Sequence, residues 1–404
     1  MARSLQIISP DPHIHKTAMY DLIGKSFSNY WSSLNKCRSG YIDDSHYDWN
    51  ASRVGLLDGE LVSHFGVWDY QMRVGIDSNR TAGVGAVATN LEHRKRGYMK
   101  QTAEACCNGL KESDFGFSVL YGISDFYHRF GYVNAWNGSK ITINKRDLPD
   151  PEGRVRLRKS DLATEQALDL VSNRTNAGLT GTAVHPTYRK NRYPKKWTRY
   201  KWNVSASPGY VVVDHSERTC SLVDCGGDPA EIIAACIQLV KRRGCSDLRI
   251  ADLHRNHPLL EELQRVSYRR EESNNPSGGA MIRITNLYYL LNHMRKTLTW
   301  RLRESSFSGW NGTIFIQWGR EYAVLSFERR GLRVLTDSAA KEKGLNNKVH
   351  QIRAGDGLAQ LFIGTADPYR IIERHKMHTS GEAKNLVGVL FPEQFPCLGR
   401  WDQF

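Results

Sequence analysis

The sequence predicts a mixed α/β protein, with α+β mixed sheets, built from three consecutive units. The stretch from Ala82 to Tyr132 has the pattern of a strand, a turn, an amphipathic helix, a second strand and a short helix. A similar order of strands and helices returns between Arg154 and Leu287. A helix, three short strands and further helices follow after Leu287. Alternation of strands and helices favours such a fold over an all-helical or all-β one.

Composition limits the classes of function that need to be considered. The chain has 404 residues, 40% hydrophobic and 24% charged, as in a globular protein of two to three domains. Its net charge of +14 fits an anionic ligand or nucleic acid. The first sixteen residues lack the apolar core of a signal peptide, and no run has the roughly 18 apolar residues of a membrane span. We therefore expect a cytoplasmic protein without a membrane partner.

A cluster of proline and glycine residues indicates where the first unit ends and the second begins. Residues 147–153, with the sequence DLPDPEG, have the composition of a boundary. The predicted domains are residues 1–150, 151–286 and 287–404. The alternating strand pattern from Ser139 to Asn144 is interpreted as closing the first unit.

The turn before the central helix has the chemistry of an anion site. A helix start carries unpaired backbone N–H groups and a partial positive charge. Gly97 has no Cβ, so a phosphate can approach its amide, and Arg94 and Arg96 add cations. The simpler alternative is a solvated helix start without a ligand.

This turn resembles motif A of the GNAT acetyltransferases, R-x-x-G-x-[GA], read here from Arg94 to Met99. Met99 departs from the small last residue of that motif. The segment FYHRFGY, from Phe126 to Tyr132, resembles its counterpart in the enhanced-intracellular-survival (Eis) branch of the superfamily. The resemblance covers the whole chain and is strongest over residues 54–136. It implies tandem GNAT-like domains followed by a sterol-carrier-protein-like C-terminal domain.

The resemblance also implies a co-substrate, acetyl-CoA, and no metal. Its pyrophosphate would bind the turn, and its thioester carbonyl would accept a hydrogen bond from the Val87 amide. The cofactor-binding residues carried over from the family are Val87, Ala88, Thr89, Arg94, Lys95, Arg96, Gly97, Tyr98, Met99, Lys100, Gly122 and Ile123.

Two catalytic residues are implied in the same way. Tyr127 would protonate the thiolate as it leaves, and the carboxylate of the terminal residue Phe404 would act as the base. The alternatives are a core tyrosine that caps a short helix and a frayed tail. Tyr121 and Tyr132 are interpreted as packing residues, because one lies in a strand and the other follows a glycine turn.

The predicted acceptor is a primary amine of the aminoglycoside, polyamine or lysine type. An acidic pocket would suit such a cation, with Asp125, Glu393 and Asp402 as contributors. The resemblance also implies a homo-hexamer. Two alternatives stay open. One is an N-acyltransferase that uses a different acyl-CoA, as N-myristoyltransferases do, and the other is a nucleic-acid-binding protein on an inactive GNAT scaffold.

The remaining motifs are interpreted as structural. In the second unit the turn before the helix contains Asp224, Asp228 and Pro229, which would repel a pyrophosphate and remove an amide donor. The basic and aromatic run over residues 187–202 is interpreted as an exposed loop with packed aromatic rings rather than a nucleic-acid site. Two His-x-x-His pairs lack a third ligand and are expected to be surface or hydrogen-bonded histidines. They are His254 with His257 and His375 with His378.

Overall fold

The computed structural model describes residues 4–27, 41–150, 155–160, 166–186, 197–204, 207–214, 218–345 and 349–403. Within these residues the strands form two sheets of seven strands and one of five, which confirms the predicted mixed α/β class. The strands are β1 (Leu5–Ile8), β2 (Arg53–Leu57), β3 (Glu60–Val74), β4 (Asp77–Thr89), β5 (Phe117–Gly122), β6 (Val133–Trp136), β7 (Gly138–Asn144), β8 (Arg158–Ser160), β9 (Trp197–Val204), β10 (Ser207–Asp214), β11 (Thr219–Gly226), β12 (Asp247–Ala251), β13 (Arg269–Ser273), β14 (Gly279–Ile284), β15 (Gly312–Trp318), β16 (Glu321–Glu328), β17 (Gly331–Thr336), β18 (Gln351–Ala354) and β19 (His378–Ser380).

Helices cover the sheets. They are α1 (Lys16–Ser26), α2 (Tyr98–Lys111), α3 (Gln166–Thr175), α4 (Pro229–Arg243), α5 (Leu259–Leu263), α6 (Leu287–His293), α7 (Arg295–Arg303), α8 (Asp337–Glu342), α9 (Leu358–Ile363), α10 (Pro368–Arg374) and α11 (Ala383–Leu390). None of the helices in the described ranges combines the length and the apolar character that a bilayer span requires.

The first sheet has the order β1-β2-β3-β4-β5-β14-β6. Between β2 and β3, Asp58 and Gly59 both have positive φ, at 52° and 84°, as a tight hairpin turn requires. Strands β4 and β5 are parallel neighbours joined through α2. The helix is amphipathic as predicted, with Ala103, Cys106 and Leu110 buried in the core.

The second sheet has the order β13-β7-β12-β11-β10-β9-β8 and repeats the parallel pair of the first in β11 and β12, which α4 connects. The third sheet has the order β17-β16-β15-β18-β19. One hydrophobic cluster runs through the first and third sheets, whereas the second sheet has a cluster of its own. The third unit therefore packs against the first.

Two strands are exchanged between the first two sheets. Strand β14, from the end of the second unit, lies between β5 and β6 in the first sheet and pairs Ile282 with Val119. Strand β7 lies in the second sheet, where Ile141 pairs with Ile250. The assignment of residues 139–144 to the first unit is wrong for this reason. An alternating pattern shows that a strand buries one face, but it does not show which sheet receives it.

Two further expectations need correction. The part of the basic and aromatic run that the structure describes is strand β9, an interior strand, and Arg199 and Trp202 are buried in it. Residues 187–196 lie outside the described residues. The predicted helix over residues 287–303 is two helices, α6 and α7, because the backbone at Met294 leaves helical geometry (φ −97°, ψ 4°).

Candidate active site

The start of α2 leaves its backbone donors without a side-chain cap. Gly97 occupies the N-cap position with φ 81°, and Lys95 also has a positive φ of 62°. No heavy atom lies within 4 Å of the place where a Cβ on Gly97 would stand. The helix start is therefore open at Gly97 and its first amides have no side-chain cap, which suits a backbone anion site.

Three cations surround this helix start. Arg94, Lys95 and Arg96 are exposed, and no carboxylate among the described residues forms an ion pair with any of them. Lys100, one turn into the helix, lies 3.8 Å from Glu104. The charge of the turn is thus available to a phosphate or pyrophosphate.

Strands β4 and β5 separate beside this turn. Their parallel pairing covers Thr81–Val84 and Phe117–Leu120, and in the described residues it goes no further, although β4 continues to Thr89. A bulge follows at once, because Ala86 has a φ of 48° and the register with β3 shifts there. The predicted residues Val87, Ala88 and Thr89 lie on this unpaired edge.

The bulge is contacted by His64 of β3, a residue that the sequence analysis missed. Its Nδ1 lies 2.8 Å from the Ala86 carbonyl oxygen and its Nε2 lies 2.8 Å from the Tyr47 hydroxyl. Complete burial lowers the pKa of His64 to about 4, so the imidazole is neutral. A single histidine within the long strand β3 was the only signal in the sequence.

Tyr127 begins a short 3₁₀ helix, Tyr127–Phe130, directly after β5. Burial raises the pKa of Tyr127 to about 12, and no described residue forms a hydrogen bond with its hydroxyl. A Cβ on Gly122 would lie 2.7 Å from Cδ2 of the Tyr127 ring, so the glycine makes room for this ring. Exposed Ile123 follows Gly122.

One hydrophobic cluster joins these parts. It contains Tyr127 and the buried face of α2, with Val87 and Met99 at its margin. Arg283 of the exchanged strand β14 donates a hydrogen bond to the Phe130 carbonyl oxygen over 2.8 Å and so fixes the end of the Tyr127 helix. Tyr132 packs as predicted, with its hydroxyl 2.7 Å from Ser118 Oγ.

The C-terminal segment is packed rather than frayed as far as it is described. Trp401 is 1% exposed and stacks on Trp197, and Asp402 forms an ion pair with buried His185 at 3.2 Å. The Gln403 amide donates to Asp252 Oδ2 over 2.8 Å. Phe404, the predicted base, lies outside the described residues. Asp402 is occupied by His185 and cannot serve as an open contributor to an acidic pocket.

Tyr121, near the end of β5, lies close to residues of the C-terminal tail and its partners. Tyr121 keeps 37% of its surface accessible, and Asp252, Cys397 and Tyr70 lie near enough to its hydroxyl to influence it electrostatically. Burial and the nearby Asp252 carboxylate raise its pKa. Tyr121 is therefore not buried in the core, which differs from the expectation that it is a packing residue.

The corresponding helix start in the second unit is closed. Asp228 caps α4 by accepting hydrogen bonds from the amides of Ala230 and Glu231. A Cβ on Gly227 would lie 2.8 Å from the Gly209 Cα, in contrast to the open space at Gly97. Asp224 is turned inwards and accepts a hydrogen bond from the Tyr210 hydroxyl. The aspartates thus close this turn by local bonds rather than by repulsion of a ligand.

The histidine pairs do not form a metal site in the described residues, which contain no group of three or more potential His, Cys, Asp or Glu ligands. Burial lowers the pKa of His254 and of His257 to about 4. His375 lies 2.7 Å from the Gln360 side-chain oxygen, and His378 is exposed.

Comparison with known proteins assigns the first unit. A family model described as an acetyltransferase (GNAT) domain matches residues 31–135, which include the open helix start and Tyr127. The chain contains a GNAT acetyltransferase domain. No match was found among curated protein sequences.

Solved structures share the fold over the whole length. A GCN5-related N-acetyltransferase from Anabaena variabilis has a TM-score of 0.77 at 15% identity, with 99% of this chain and 100% of that chain covered. One from Kribbella flavida has a TM-score of 0.72 at 15% identity, with coverages of 100% and 99%. Eis1 from Mycobacterium abscessus has a TM-score of 0.65 at 13% identity, with coverages of 99% and 100%. The chain therefore has an Eis-like GNAT architecture.

Proposed function

We propose that the protein is an N-acetyltransferase that transfers the acetyl group of acetyl-CoA to a primary amine. The observation that carries the proposal is the uncapped, basic helix start at Gly97 beside the separated edge of β4, with Tyr127 in the same cluster. Pyrophosphate would bind the helix start and its cations. The pantetheine arm would lie along Val87 to Thr89, in the gap between β4 and β5.

The reaction is a direct displacement at the thioester. The amine nitrogen forms a bond to the carbonyl carbon while the bond from that carbon to sulfur breaks. The Val87 amide supports the negative charge on the carbonyl oxygen, and Tyr127 gives its proton to the departing thiolate. Burial keeps the Tyr127 phenol protonated and therefore a donor. The proton of the amine passes to the Phe404 carboxylate.

Contacts of the tail support this role for the terminus. Asp402 and Gln403, the two residues before Phe404, bind His185 and Asp252, and Asp252 also lies beside Tyr121 at the end of β5. The chain is thereby held next to the strand that leads into Tyr127. The carboxylate of residue 404 would therefore be attached to an anchored part of the chain.

The acceptor is proposed to enter between the first and third units. The third unit contacts the chain just after the Tyr127 helix, where Gln360 donates to the Asn134 carbonyl over 2.6 Å and Thr365 donates to the Ala135 carbonyl over 2.9 Å. An aminoglycoside, polyamine or lysine amine is the proposed acceptor class. The sterol-carrier-like nature of the third unit and the homo-hexamer stay predictions, the latter to be measured by analytical ultracentrifugation.

The test is a panel of amines incubated with acetyl-CoA, with release of the CoA thiol as the readout. We expect turnover by the native chain and a decrease of about 10²–10⁴-fold in Tyr127→Phe at unchanged CoA affinity. Tyr121→Phe is the matched control, because it removes another phenol hydroxyl near the end of β5. Full turnover in Tyr127→Phe with an inactive Tyr121→Phe would transfer the acid to Tyr121.

The same assay tests the terminus. Deletion of Phe404 retracts the carboxylate by roughly 3.5 Å, and a C-terminal extension converts it to a neutral amide. Each change is expected to lower turnover at least about 10²-fold and to leave CoA binding intact. Full activity of the extended protein would exclude the terminal base. Salt-dependent DNA binding without any acetyl transfer would instead favour an inactive scaffold.

A further inference from the structure

His64 is completely buried and makes two short polar contacts on opposite sides of its ring. One joins Nδ1 to the Ala86 carbonyl oxygen and the other joins Nε2 to the Tyr47 hydroxyl, each at 2.8 Å. A Cβ on Gly66 would lie 2.7 Å from the His64 Cε1 atom, so the neighbouring glycine leaves space for the imidazole. The ring is fixed in one orientation.

The partners of His64 also fix its tautomer. A carbonyl oxygen can only accept a hydrogen bond, so Nδ1 must carry the proton and donate it to Ala86. Nε2 is then the acceptor, and the Tyr47 hydroxyl donates to it. A neutral ring is required for this pair of bonds, and complete burial favours the neutral ring.

The peptide that His64 holds is the one that carries the Val87 amide. Ala86 C=O and Val87 N–H belong to a single planar trans unit, in which the two groups point in opposite directions. Strands β3 and β5 lie on opposite sides of β4. The Ala86 carbonyl is held by the His64 ring, so the Val87 N–H of the same peptide points away from that ring. The ladder between β4 and β5 has already ended at Val84 and Leu120.

The backbone at this point needs such support. Pairing of His64 with Ala88 and of Gly66 with Gly85 leaves Ala86 and Val87 opposite the single residue Phe65. Ala86 adopts a φ of 48°, a left-handed conformation that is unfavourable for a residue with a Cβ. Such strain persists where the surroundings hold it in place, as His64 does here.

We propose that His64 is a positioning residue for acyl transfer, which orients the Val87 amide toward the thioester carbonyl by holding the Ala86 carbonyl. The inference rests on the proposed function, because it assigns the Val87 amide a carbonyl to bind. His64 does not touch the substrate and does not exchange a proton with it.

The experiment compares variants of His64 that differ in where they place a donor. His64→Asn puts an amide N–H near the position of Nδ1, whereas His64→Gln puts it near that of Nε2, and His64→Leu has no donor. His257→Leu is the matched control, since it replaces another buried histidine, 4% exposed, in the second unit. Turnover, CoA affinity and the infrared carbonyl frequency of bound ¹³C-labelled acetyl-CoA are measured for each folded variant.

In the native chain the carbonyl frequency of bound acetyl-CoA should fall below its value in water, since a hydrogen bond weakens the C=O bond. His64→Leu and His64→Gln should lose much of this decrease and about 10²-fold in turnover, at CoA affinity unchanged within about 2-fold. His64→Asn should retain more of both. CoA has no acyl carbonyl, so its affinity reports on the rest of the site.

The outcomes separate the inference from the proposed function. A native chain without turnover on any amine would remove the proposed function. If the native chain is active and bound acetyl-CoA has the same carbonyl frequency in the native chain and in His64→Gln, only the role of His64 is overturned. Equal losses of turnover in His64→Asn, His64→Gln and His257→Leu would show a general packing effect and would also overturn the inference. If His64→Leu does not fold, the pair His64→Asn and His64→Gln decides the question.

Discussion

The two GNAT-like units contain the same structural motif, but the helix start in this motif is open in the first unit and capped in the second. In each, two parallel strands pair over four residues, as Thr81–Val84 with Phe117–Leu120 and Thr219–Leu222 with Asp247–Ile250, and a helix connects them. The helix of the first unit starts at an open glycine, Gly97. The helix of the second starts at Asp228, whose carboxylate caps its amides. An anion site therefore depends on a few local bonds at the helix start rather than on the fold.

The gap between the parallel strands differs as well. In the second unit the C-terminal segment fills it, because Cys397 Sγ donates to the Asp252 carbonyl oxygen over 3.1 Å and Trp401 packs in a cluster with Val223. A residual cavity lined by Asp224, His254 and Asp402, among others, has a volume of about 50 Å³, which is suited to water rather than to a pantetheine arm. The second unit holds the tail where the first would hold its co-substrate.

The largest expected effects on stability and CoA affinity come from replacing Gly97 and Gly227, the glycines at the two helix starts. Gly227→Ala would place a Cβ 2.8 Å from the Gly209 Cα at a φ of 116°, so we expect a loss of about 2–4 kcal/mol in the free energy of unfolding and no change in CoA affinity. Gly97→Ala meets no atom, and its cost should be about 1–2 kcal/mol of strain together with weaker CoA binding. Urea denaturation and calorimetry measure both. Weaker CoA binding in Gly227→Ala alone would reverse the assignment of the two units.

The next largest effects are expected from replacing Arg96 in the first unit and Asp228 in the second. Arg96→Ala should weaken CoA binding by about 1.5–3 kcal/mol, roughly 10- to 150-fold, because a charge-assisted contact to a phosphate is lost. Its stability should be unchanged. Asp228→Ala removes a helix cap and should cost about 1 kcal/mol of stability without an effect on CoA. Equal CoA affinity of Arg96→Ala and the native chain, by calorimetry, would move the pyrophosphate away from this turn.

The smallest effect is the pH dependence of the bond that holds the tail. Burial opposes the charged form of His185, but the carboxylates of Asp402 and Asp169, with Asp224 nearby, raise its pKa to about 10. The pKa of His185 is thus higher in the folded state than in the unfolded state, where it is about 6.5. Protonation of His185 therefore stabilises the folded state fully below about pH 6.5, and this contribution is lost as pH rises through 10. Desolvation of both partners reduces it to about 1–2 kcal/mol.

The measurement is the difference in unfolding free energy between the native chain and His185→Gln. It should be largest near pH 6 and decrease steadily toward pH 10. A difference that does not vary over this range would show that His185 is neutral in the folded protein.

Local features were accessible from the sequence. The amphipathic helix after Gly97 follows from residues within a few positions of one another, and the structure confirms it. The tight turn at Asp58 and Gly59 is local in the same way. The mixed α/β class follows from the order of such segments. The roles of Tyr127 and Phe404 come from the resemblance and stay predictions.

Long-range pairs were not accessible. The contact between His185 and Asp402 joins residues 217 positions apart, and that between Arg283 and Phe130 joins residues 153 apart. No period or spacing in one sequence encodes such a pair. His64 was missed for the same reason, since its value lies in the carbonyl of Ala86, 22 residues away.

The exchange of β7 and β14 means that the first two units are interlocked. A fragment that ends at residue 150 would lose β14, the neighbour of β5, and with it Arg283, which fixes the Tyr127 helix. The remainder would in turn lose β7, which lies between β13 and β12 in its own sheet. Neither unit therefore has a complete sheet without the other. Although the second unit lacks an open anion site, it supplies the strand on which the catalytic half is assembled.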